Sequence, residues 1–259
     1  MSAIITLTTD FGRKDAYSGA MKGVILGINP SARIVDLSHE IEPQNIRQGS
    51  LVLASAYPFF PKGTVHVAVV DPGVGSGRKL LCVKTGSAYF MAPDNGLLTP
   101  VLDAEKSCSV REISNREFFR KNISATFHGR DILASAAGWL SKKDIFSRLG
   151  PALPGCKRLS WPAVKRLKNG IQGEILAEDH FGNLITNIKA SDLPGDIDRF
   201  RVKAGKRLIS VWGKCYADGK PGRPMALISS MDYLEIAVPN GSAAALTGLK
   251  PGQEVTVTK

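Results

Sequence analysis

Short runs of β-branched and aliphatic residues alternate with helix-like segments over the first part of the chain. Residues 4–9 form one such run, and residues 64–70 are nearly all apolar, which is typical of strands covered on both faces of a sheet. Between them, apolar side chains recur at helical spacing over residues 16–28, and Asn29-Pro30 ends the predicted helix. The pattern also predicts strands over 32–37, 80–84 and 88–92, and helices over 46–57 and 131–140. This order predicts an α/β domain with a mostly parallel sheet and flanking helices.

The pattern changes after residue 150. Prolines at 151, 154 and 162 interrupt a stretch with little periodicity, which predicts a linker over residues 151–168 between an α/β catalytic domain (1–150) and a second domain (169–259). The second domain shows short alternating segments separated by turn residues, as in a small all-β barrel. Its expected strands are 170–177, 183–188, 207–211, 225–228, 233–238 and 254–258.

Composition supports a packed, soluble protein. Of the 259 residues, 43% are hydrophobic and 22% are charged, and the mean hydropathy is −0.03. No apolar stretch is long enough for a membrane helix, and no basic segment precedes the first apolar run as a signal peptide requires. The four cysteines form no CxxC pair. We therefore expect free thiols and a cytoplasmic location.

Charge is the unusual feature of the composition. There are 34 Lys and Arg against 23 Asp and Glu, a formal net charge of +11. Nucleic-acid binding by the basic second domain is one interpretation, and it predicts salt-sensitive retention on RNA or DNA. The basic residues are scattered, however, and Phe200, Trp212 and Tyr216 are dispersed rather than arranged for base stacking. A solvated basic surface is the favoured interpretation.

Acidic residues follow two of the apolar strands, each beside a glycine turn. These are Asp10 and Asp71, and Asp94 ends a third strand in the same way. Ligands of open α/β sheets bind at the carboxyl ends of strands, so two such aspartates at one edge favour a functional site. Turn chemistry is the alternative explanation for each one alone.

Histidine spacing does not point to a preassembled metal site. Of His39, His66, His128 and His180, His66 lies inside an apolar strand, which favours a core position. His128 precedes Gly129 at the entry to a helix, a suitable place for a general base. No HxH or HExxH spacing occurs. A metal-dependent phosphohydrolase using Asp10, Asp71, Asp94 and His128 stays open, and chelation would test it.

Six blocks distributed along the chain resemble the S-adenosyl-L-methionine (SAM) hydroxide adenosyltransferases, which are hydrolytic relatives of the fluorinase and chlorinase. The blocks are Thr9-Asp10-Phe11-Gly12, Asp71-Pro72-Gly73-Val74-Gly75 with Arg78, Ala92-Pro93-Asp94-Asn95-Gly96, Phe127-His128-Gly129-Arg130-Asp131, Asp179-His180-Phe181-Gly182-Asn183 with Thr186-Asn187, and Tyr233-Leu234-Glu235-Ile236-Ala237-Val238.

The resemblance implies hydrolysis of SAM to adenosine and L-methionine by attack of an activated water at the ribose C5′, with no cofactor and no metal. It also implies a homotrimer whose sites lie between the first domain of one subunit and the second domain of its neighbour. Asp71, Arg78 and His128 match the catalytic residues of the family. The substrate-binding positions are Asp10, Asp179, Asn183, Ser230, Glu235 and Val238.

Two departures from the family pattern are informative. Halogenating relatives place a serine where Gly129 stands and lack the pair formed by Asp71 and His128, so halide chemistry is disfavoured. Met231 and Asp232 stand where relatives more often carry an aromatic residue and a glycine, which leaves the amino-acid end of the pocket undefined. Our hypothesis is that His128 accepts the proton of water and Arg78 stabilises the emerging negative charge. A nucleoside-binding regulator without turnover is the alternative, and another adenosyl sulfonium stays possible as substrate.

Overall fold

The computed structural model describes residues 3–193 and 195–259, and the chain divides into two compact units, Met1–Leu159 and Ser160–Lys259. The described strands are β1 (Ile4–Thr9), β2 (Arg33–Ser38), β3 (Val65–Val69), β4 (Leu80–Thr85), β5 (Tyr89–Pro93), β6 (Cys108–Glu112), β7 (Ala152–Leu153), β8 (Lys165–Leu167), β9 (Gly170–Glu178), β10 (Leu184–Lys189), β11 (Arg201–Ala204), β12 (Arg207–Ile209), β13 (Met225–Ile228), β14 (Tyr233–Ala237) and β15 (Glu254–Thr258). The α-helices are α1 (Tyr17–Ile28), α2 (Ile46–Ala56), α3 (Thr99–Ala104), α4 (Ser135–Lys142) and α5 (Ala243–Thr247), and a π-helical segment, Gly129–Ala134, leads into α4.

The first unit is built on a mixed sheet. Its strand order in the described part of the chain is β2-β1-β3-β5-β4-β6-β7, and the pairings among β2, β1, β3 and β5 are parallel. The other three pairings are antiparallel. For β4 and β5 the reason is the tight turn that joins them, which leaves no room for a crossover helix. The predicted α/β class is confirmed, and the sheet is less parallel than the sequence pattern predicts.

Helices cover both faces of this sheet. On one face, Met21 and Ile25 of α1 pack with Leu140 of α4 against the inward side chains of β1 and β3. On the other face, α2 and α3 pack against alternate residues of β3, β4 and β5, including the fully buried Phe90. Two layers of helices explain why residues 64–70 are almost continuously apolar. The carboxyl ends of β1 and β3, which are adjacent in the sheet, are left to carry polar turns.

The second unit is an antiparallel, nearly closed barrel. Its described strands follow the order β12-β11-β15-β9-β10-β14-β13, and β8 pairs with β9 beside this path. An isolated bridge between Trp212 and Ala226 brings the two outer strands together. Aliphatic side chains from the strands and from α5 fill the interior, Ile175, Leu234 and Val255 among them. The predicted all-β barrel is therefore confirmed.

No helix within residues 3–193 and 195–259 is long and apolar enough to cross a membrane.

All four cysteines are free thiols. Cys82 is fully buried, and burial raises the pKa of its thiol far above the usual value.

Candidate active site

The carboxyl end of β3 and the start of β4 present a buried ion pair at the edge of the first sheet. Asp71 follows β3 and Arg78 precedes β4. Arg78 Nε donates to both carboxylate oxygens, at 2.6 Å to Oδ1 and 2.7 Å to Oδ2, and Nη2 also donates to Oδ2. Each side chain is only 6% exposed. Because a charged, multiply bonded pair is strongly directional, Asp71 fixes the orientation of the whole guanidinium group.

The same guanidinium group contacts a histidine through its remaining terminal nitrogen. Arg78 Nη1 lies 3.1 Å from Nδ1 of His128. A guanidinium nitrogen can only donate, so Nδ1 accepts this hydrogen bond with its lone pair. Burial lowers the pKa of His128 and the charge of Arg78 lowers it further, against smaller opposing contributions from Asp71 and Asp131. His128 is therefore a neutral imidazole at neutral pH.

A fully buried carboxylate fixes the segment that carries His128. Asp131 has no exposed surface. It accepts hydrogen bonds from Arg130 (Nε at 2.7 Å and Nη2 at 2.9 Å), Arg120 (Nη1 at 3.0 Å) and the backbone N–H of Ser124 (2.8 Å). Burial by itself would raise the pKa of Asp131, but these bonds outweigh it and lower the pKa to about 2. The loop before His128 is thus tied to the helix after it.

Asp10 lies at the end of the neighbouring strand, β1. Its Oδ2 accepts the backbone N–H of Gln44 at 2.8 Å. Gln44 has a φ of 67°, a left-handed conformation that is uncommon for residues other than glycine. This strained position aims the amide of Gln44 at the carboxylate, and strain of this kind is found at functional sites.

Asp94, the third strand-end aspartate, supports the local chain. Its Oδ1 accepts the backbone N–H of Lys157 at 2.7 Å, while the adjacent Asn95 donates through Nδ2 to the Val70 carbonyl at 2.8 Å. In the described part of the chain, no three His, Cys, Asp or Glu side chains are grouped in a way that would hold a metal ion.

In the second unit, Asp179 and Asn183 organise the turn between β9 and β10. Asp179 Oδ1 accepts the backbone N–H groups of Phe181 at 2.9 Å and Asn183 at 2.8 Å. The side chain of Asn183 donates through Nδ2 to Asp179 Oδ2 at 2.9 Å. Three donors therefore hold the carboxylate in one orientation, and the ring of Phe181 is left 73% exposed above the turn.

The buried Glu235 pairs with Tyr216, a residue that is itself about half exposed. Tyr216 donates its hydroxyl proton to Glu235 Oε1 at 2.8 Å, and Glu235 is 3% exposed. Burial raises the pKa of Glu235, the Tyr216 hydrogen bond lowers it, and the negative charge of Asp179 raises it again. Burial, followed by the hydrogen bond and the charge of Glu235, raises the pKa of Tyr216 to about 12. Asp179 therefore acts electrostatically on both members of the pair.

The other two predicted positions of the second unit differ in their surroundings. Ser230 is exposed in the turn between β13 and β14. Val238 is 5% exposed, and its side chain packs into the barrel core. Asp232, in the same turn as Ser230, has a φ of 64°. A glycine adopts that conformation without strain, and aspartate is among the few other residues that tolerate it.

Sequence comparison assigns the chain to a family. Models of the SAM hydroxide adenosyltransferase N-terminal and C-terminal domains match residues 5–150 and 173–256. The chain belongs to the SAM hydroxide adenosyltransferase family. The resemblance carried by the six sequence blocks is thereby confirmed.

Named relatives of this SAM hydroxide adenosyltransferase family cover almost the whole chain. An (R)-S-adenosyl-L-methionine hydrolase of Salinispora tropica is 37% identical, with 98% of this chain and 97% of the relative covered. One from Methanocaldococcus jannaschii is also 37% identical, with 98% and 95% covered. A fluorinase of Actinoplanes sp. is 28% identical, with 99% and 97% covered. The crystal structure of an uncharacterised conserved protein from Thermotoga maritima is similar with a TM-score of 0.93 and 40% identity, covering 99% of this chain and 100% of that one.

The surroundings of Gly129 explain why this family member has no side chain there. A Cβ atom at this position would lie 3.2 Å from Cγ1 of Val69 and 3.6 Å from the rings of Phe11 and Phe127. That first distance is tighter than ordinary van der Waals contact, so a serine needs a shift of its neighbours.

Sequence reasoning missed three residues that shape these clusters. Tyr216 is 19 residues from Glu235 and belongs to no block, so nothing in the sequence pointed to it. Gln44 contributes only a backbone amide, which no side-chain motif records. Asp131 was within a block, and its position directly after Arg130 was a usable signal for a buried ion pair.

Proposed function

We propose that this protein hydrolyses SAM to adenosine and L-methionine by attack of water at the ribose C5′. The observation that carries the proposal is the contact between Arg78 Nη1 and His128 Nδ1, behind which Asp71 is bound to the guanidinium. Membership of the family and the two hydrolases at 37% identity support the same reaction.

The difficult part of this reaction is the activation of the nucleophile, water. A lone pair of water forms the C5′–O bond while the electrons of the C5′–S bond return to sulfur, so methionine leaves as a neutral thioether and needs no proton. One proton must leave the attacking water, whose pKa in bulk is about 15.7. The site therefore needs a proton acceptor and a positive charge beside the attacking oxygen, and it needs no cofactor.

Arg78 and His128 can supply both when they separate far enough to admit a water between their contacting nitrogens. A water placed between the two side chains accepts from Arg78 Nη1 and donates to His128 Nδ1, in place of the direct bond between them. His128 then takes the proton, and Arg78 stabilises the negative charge that develops on oxygen. Asp71 keeps Arg78 oriented throughout. The depressed pKa of His128 keeps the imidazole unprotonated at neutral pH, so its Nδ1 lone pair can accept from the water once the bond to Arg78 is replaced.

The substrate-binding assignments are part of the proposal. Asp10, with one oxygen held by Gln44, offers its other oxygen to the ribose hydroxyls. From the second unit we assign a group of residues to the methionyl and adenosyl parts of SAM: Asp179, Asn183, Ser230, Glu235 and Val238. We further propose a homotrimer with its sites at subunit interfaces, which light scattering after size exclusion tests directly. The free thiols and the substrate favour a cytoplasmic location.

The decisive experiment incubates the protein with SAM in oxygen-18 water, with and without chelator, and identifies the products by mass spectrometry. Adenosine labelled at its 5′ oxygen, together with methionine, is expected with or without chelator. Added chloride or fluoride should give no 5′-halogenated nucleoside. If adenosine binds and no product forms, the protein is a regulator or uses another sulfonium. If chelation abolishes product formation, the protein is instead a metal-dependent hydrolase.

Variants connect the activity to the proposed residues. Arg78→Ala and His128→Ala should each abolish turnover while adenosine still binds, and the exposed Arg116→Ala serves as the matched control. Full activity of either catalytic variant would contradict the mechanism.

A further inference from the structure

Two threonines of strand β1 each pair with a buried histidine from elsewhere in the first unit. Thr6 Oγ1 is 2.8 Å from Nδ1 of His66, and Thr9 Oγ1 is 2.8 Å from Nδ1 of His39. None of the four side chains is more than 3% exposed. The two pairs have the same chemistry and differ in position, since Thr9 is the residue directly before Asp10.

The pair at the strand end lies beside a cluster of charged groups. His39 Nε2 lies 3.0 Å from Oδ1 of Asp36, whose Oδ2 accepts from Lys22 Nζ at 2.6 Å. The hydrogen bond between Thr9 Oγ1 and His39 Nδ1 joins the end of β1 to this cluster. The Thr9 oxygen in turn accepts the backbone N–H of Phe11 at 3.3 Å.

The backbone around His39 contacts the turn that carries Asp10 at two points. The carbonyl oxygen of His39 accepts the backbone N–H of Gly12 at 2.7 Å. A few residues later, Gln44 donates its N–H to the Asp10 carboxylate. The segment between His39 and Gln44 therefore holds both ends of the turn over residues 10–12, at Asp10 and at Gly12.

We infer that His39 and Thr9 are positioning residues that set the orientation of the Asp10 carboxylate for the ribose of the substrate. The inference rests on the proposed function, in which Asp10 binds that ribose. Removing the Thr9 hydroxyl leaves Nδ1 of His39 and the Phe11 amide without their partner in a buried site, and the turn then has to move to satisfy them. Both side chains are buried, so we assign them no contact with the substrate.

The pair formed by Thr6 and His66 provides a matched control. The ring of His66 stacks on Phe90 at 5.0 Å between centroids and meets Tyr57 and Phe60 edge-on. These contacts lie within the core packed against α2. Loss of this pair affects stability and leaves Asp10 in place.

The experiment compares Thr9→Val and His39→Phe with Thr6→Val and His66→Phe, using Thr9→Ser as the conservative rescue. It measures KM and kcat for SAM, the dissociation constant of adenosine, and hydrogen–deuterium exchange of peptides covering residues 9–13 and 39–46. In the Thr9→Val and His39→Phe variants we expect KM and the adenosine dissociation constant to rise about tenfold, kcat to change less than about threefold, and both peptides to exchange faster. The Thr6 and His66 variants should lose only stability, and Thr9→Ser should bind as the unaltered protein does.

The outcomes separate this inference from the proposed function. If the unaltered protein hydrolyses SAM and the Thr9 and His39 variants behave like their Thr6 and His66 controls, the positioning role is wrong and the function stands. If the unaltered protein binds adenosine without turnover, the ribose affinity and the exchange rates still decide the positioning role. If it does neither, both proposals are overturned.

Discussion

Arg78 and His128 are 50 residues apart in the chain and in direct contact, with Nη1 of the arginine 3.1 Å from Nδ1 of the histidine. The direction of this bond is fixed, because a guanidinium nitrogen can donate a hydrogen bond and cannot accept one. Protonation of His128 at Nδ1 therefore breaks the contact and places two positive charges side by side.

The activity should consequently have an acid limb set by His128. Burial and the charge of Arg78 lower the pKa of His128 from its ordinary 6.5, so the neutral, proton-accepting form persists below that pH. We expect kcat to be constant through neutral pH and to fall only at pH values below 6.5. A profile of kcat against pH at saturating SAM measures this. If kcat already falls at pH values above 6.5, the titrating group is not His128. The same conclusion holds if a partly active His128→Asn variant shows the same fall in kcat with decreasing pH.

We expect the Tyr216 hydroxyl to lower the pKa of Glu235. Because its hydrogen bond lowers a pKa that burial raises, Tyr216→Phe should raise the pKa of Glu235 further and increase KM for SAM by about three- to tenfold. Infrared difference spectra of the carboxylic acid band report the pKa, and steady-state kinetics report KM.

Tyr89→Phe is the matched control for this change. Tyr89 also donates to a carboxylate, Asp144 Oδ2 at 3.1 Å, in an exposed setting in the first unit. Equal effects of the two substitutions on KM would show that loss of a tyrosine hydroxyl, rather than its contact with Glu235, is responsible.

Two glycines should respond oppositely to alanine. Gly129→Ala forces a methyl group to 3.2 Å from Val69, and we expect a loss of about 1–2 kcal/mol in the free energy of unfolding. Gly27→Ala, in α1, meets nothing within 4 Å and should gain about 0.5–1 kcal/mol from the higher helix propensity of alanine. Urea unfolding of both variants measures the difference. A stabilised Gly129→Ala would mean that its neighbours yield freely.

His66 should make the folded protein less stable in mild acid. Burial lowers its pKa from 6.5 to about 4, so between these values the unfolded chain binds a proton that the folded chain does not. Stability is then lost as the pH falls through this window, by about 2 kcal/mol between about pH 7 and pH 5.

The His66→Phe variant isolates that contribution. Urea unfolding at the two pH values should show a smaller drop in the variant than in the unaltered protein at the same protein concentration. The comparison uses the change with pH and not absolute stability, because the substitution also leaves the Thr6 hydroxyl without its partner. Identical drops would mean that His66 is already protonated in the folded state or does not control this window.

Strongly patterned elements could be predicted from sequence, whereas weakly patterned ones could not. The bounds of β1, β13 and β15 match their apolar runs residue for residue. β6 was missed, since Val110 is the only buried residue of a strand that otherwise reads Cys, Ser, Arg and Glu. The three-residue gap between the predicted strands 80–84 and 88–92 was a usable signal for the antiparallel pairing of β4 and β5, and the prediction of a mostly parallel sheet did not use it.

In the candidate site, too, the sequence predicted the local features and not the contacts between distant residues. Local pattern placed Asp10 and Asp71 at strand ends, and β1 and β3 are indeed neighbours in the sheet. The contact between Arg78 and His128 depends on where the chain returns after β6, and spacing along the sequence does not encode that. The contact of Tyr216 with Glu235 is equally non-local.

The buried carboxylate of Asp131 ties down the chain on both sides of a short exposed stretch. Arg120 and Ser124 are bound to it, whereas Lys121 and Asn122 between them face solvent. Residues inserted at Lys121 and Asn122 would enlarge the loop without displacing its two anchored ends. The length and surface of this loop can therefore diverge, or accept an engineered tag, while His128 stays in register with Arg78.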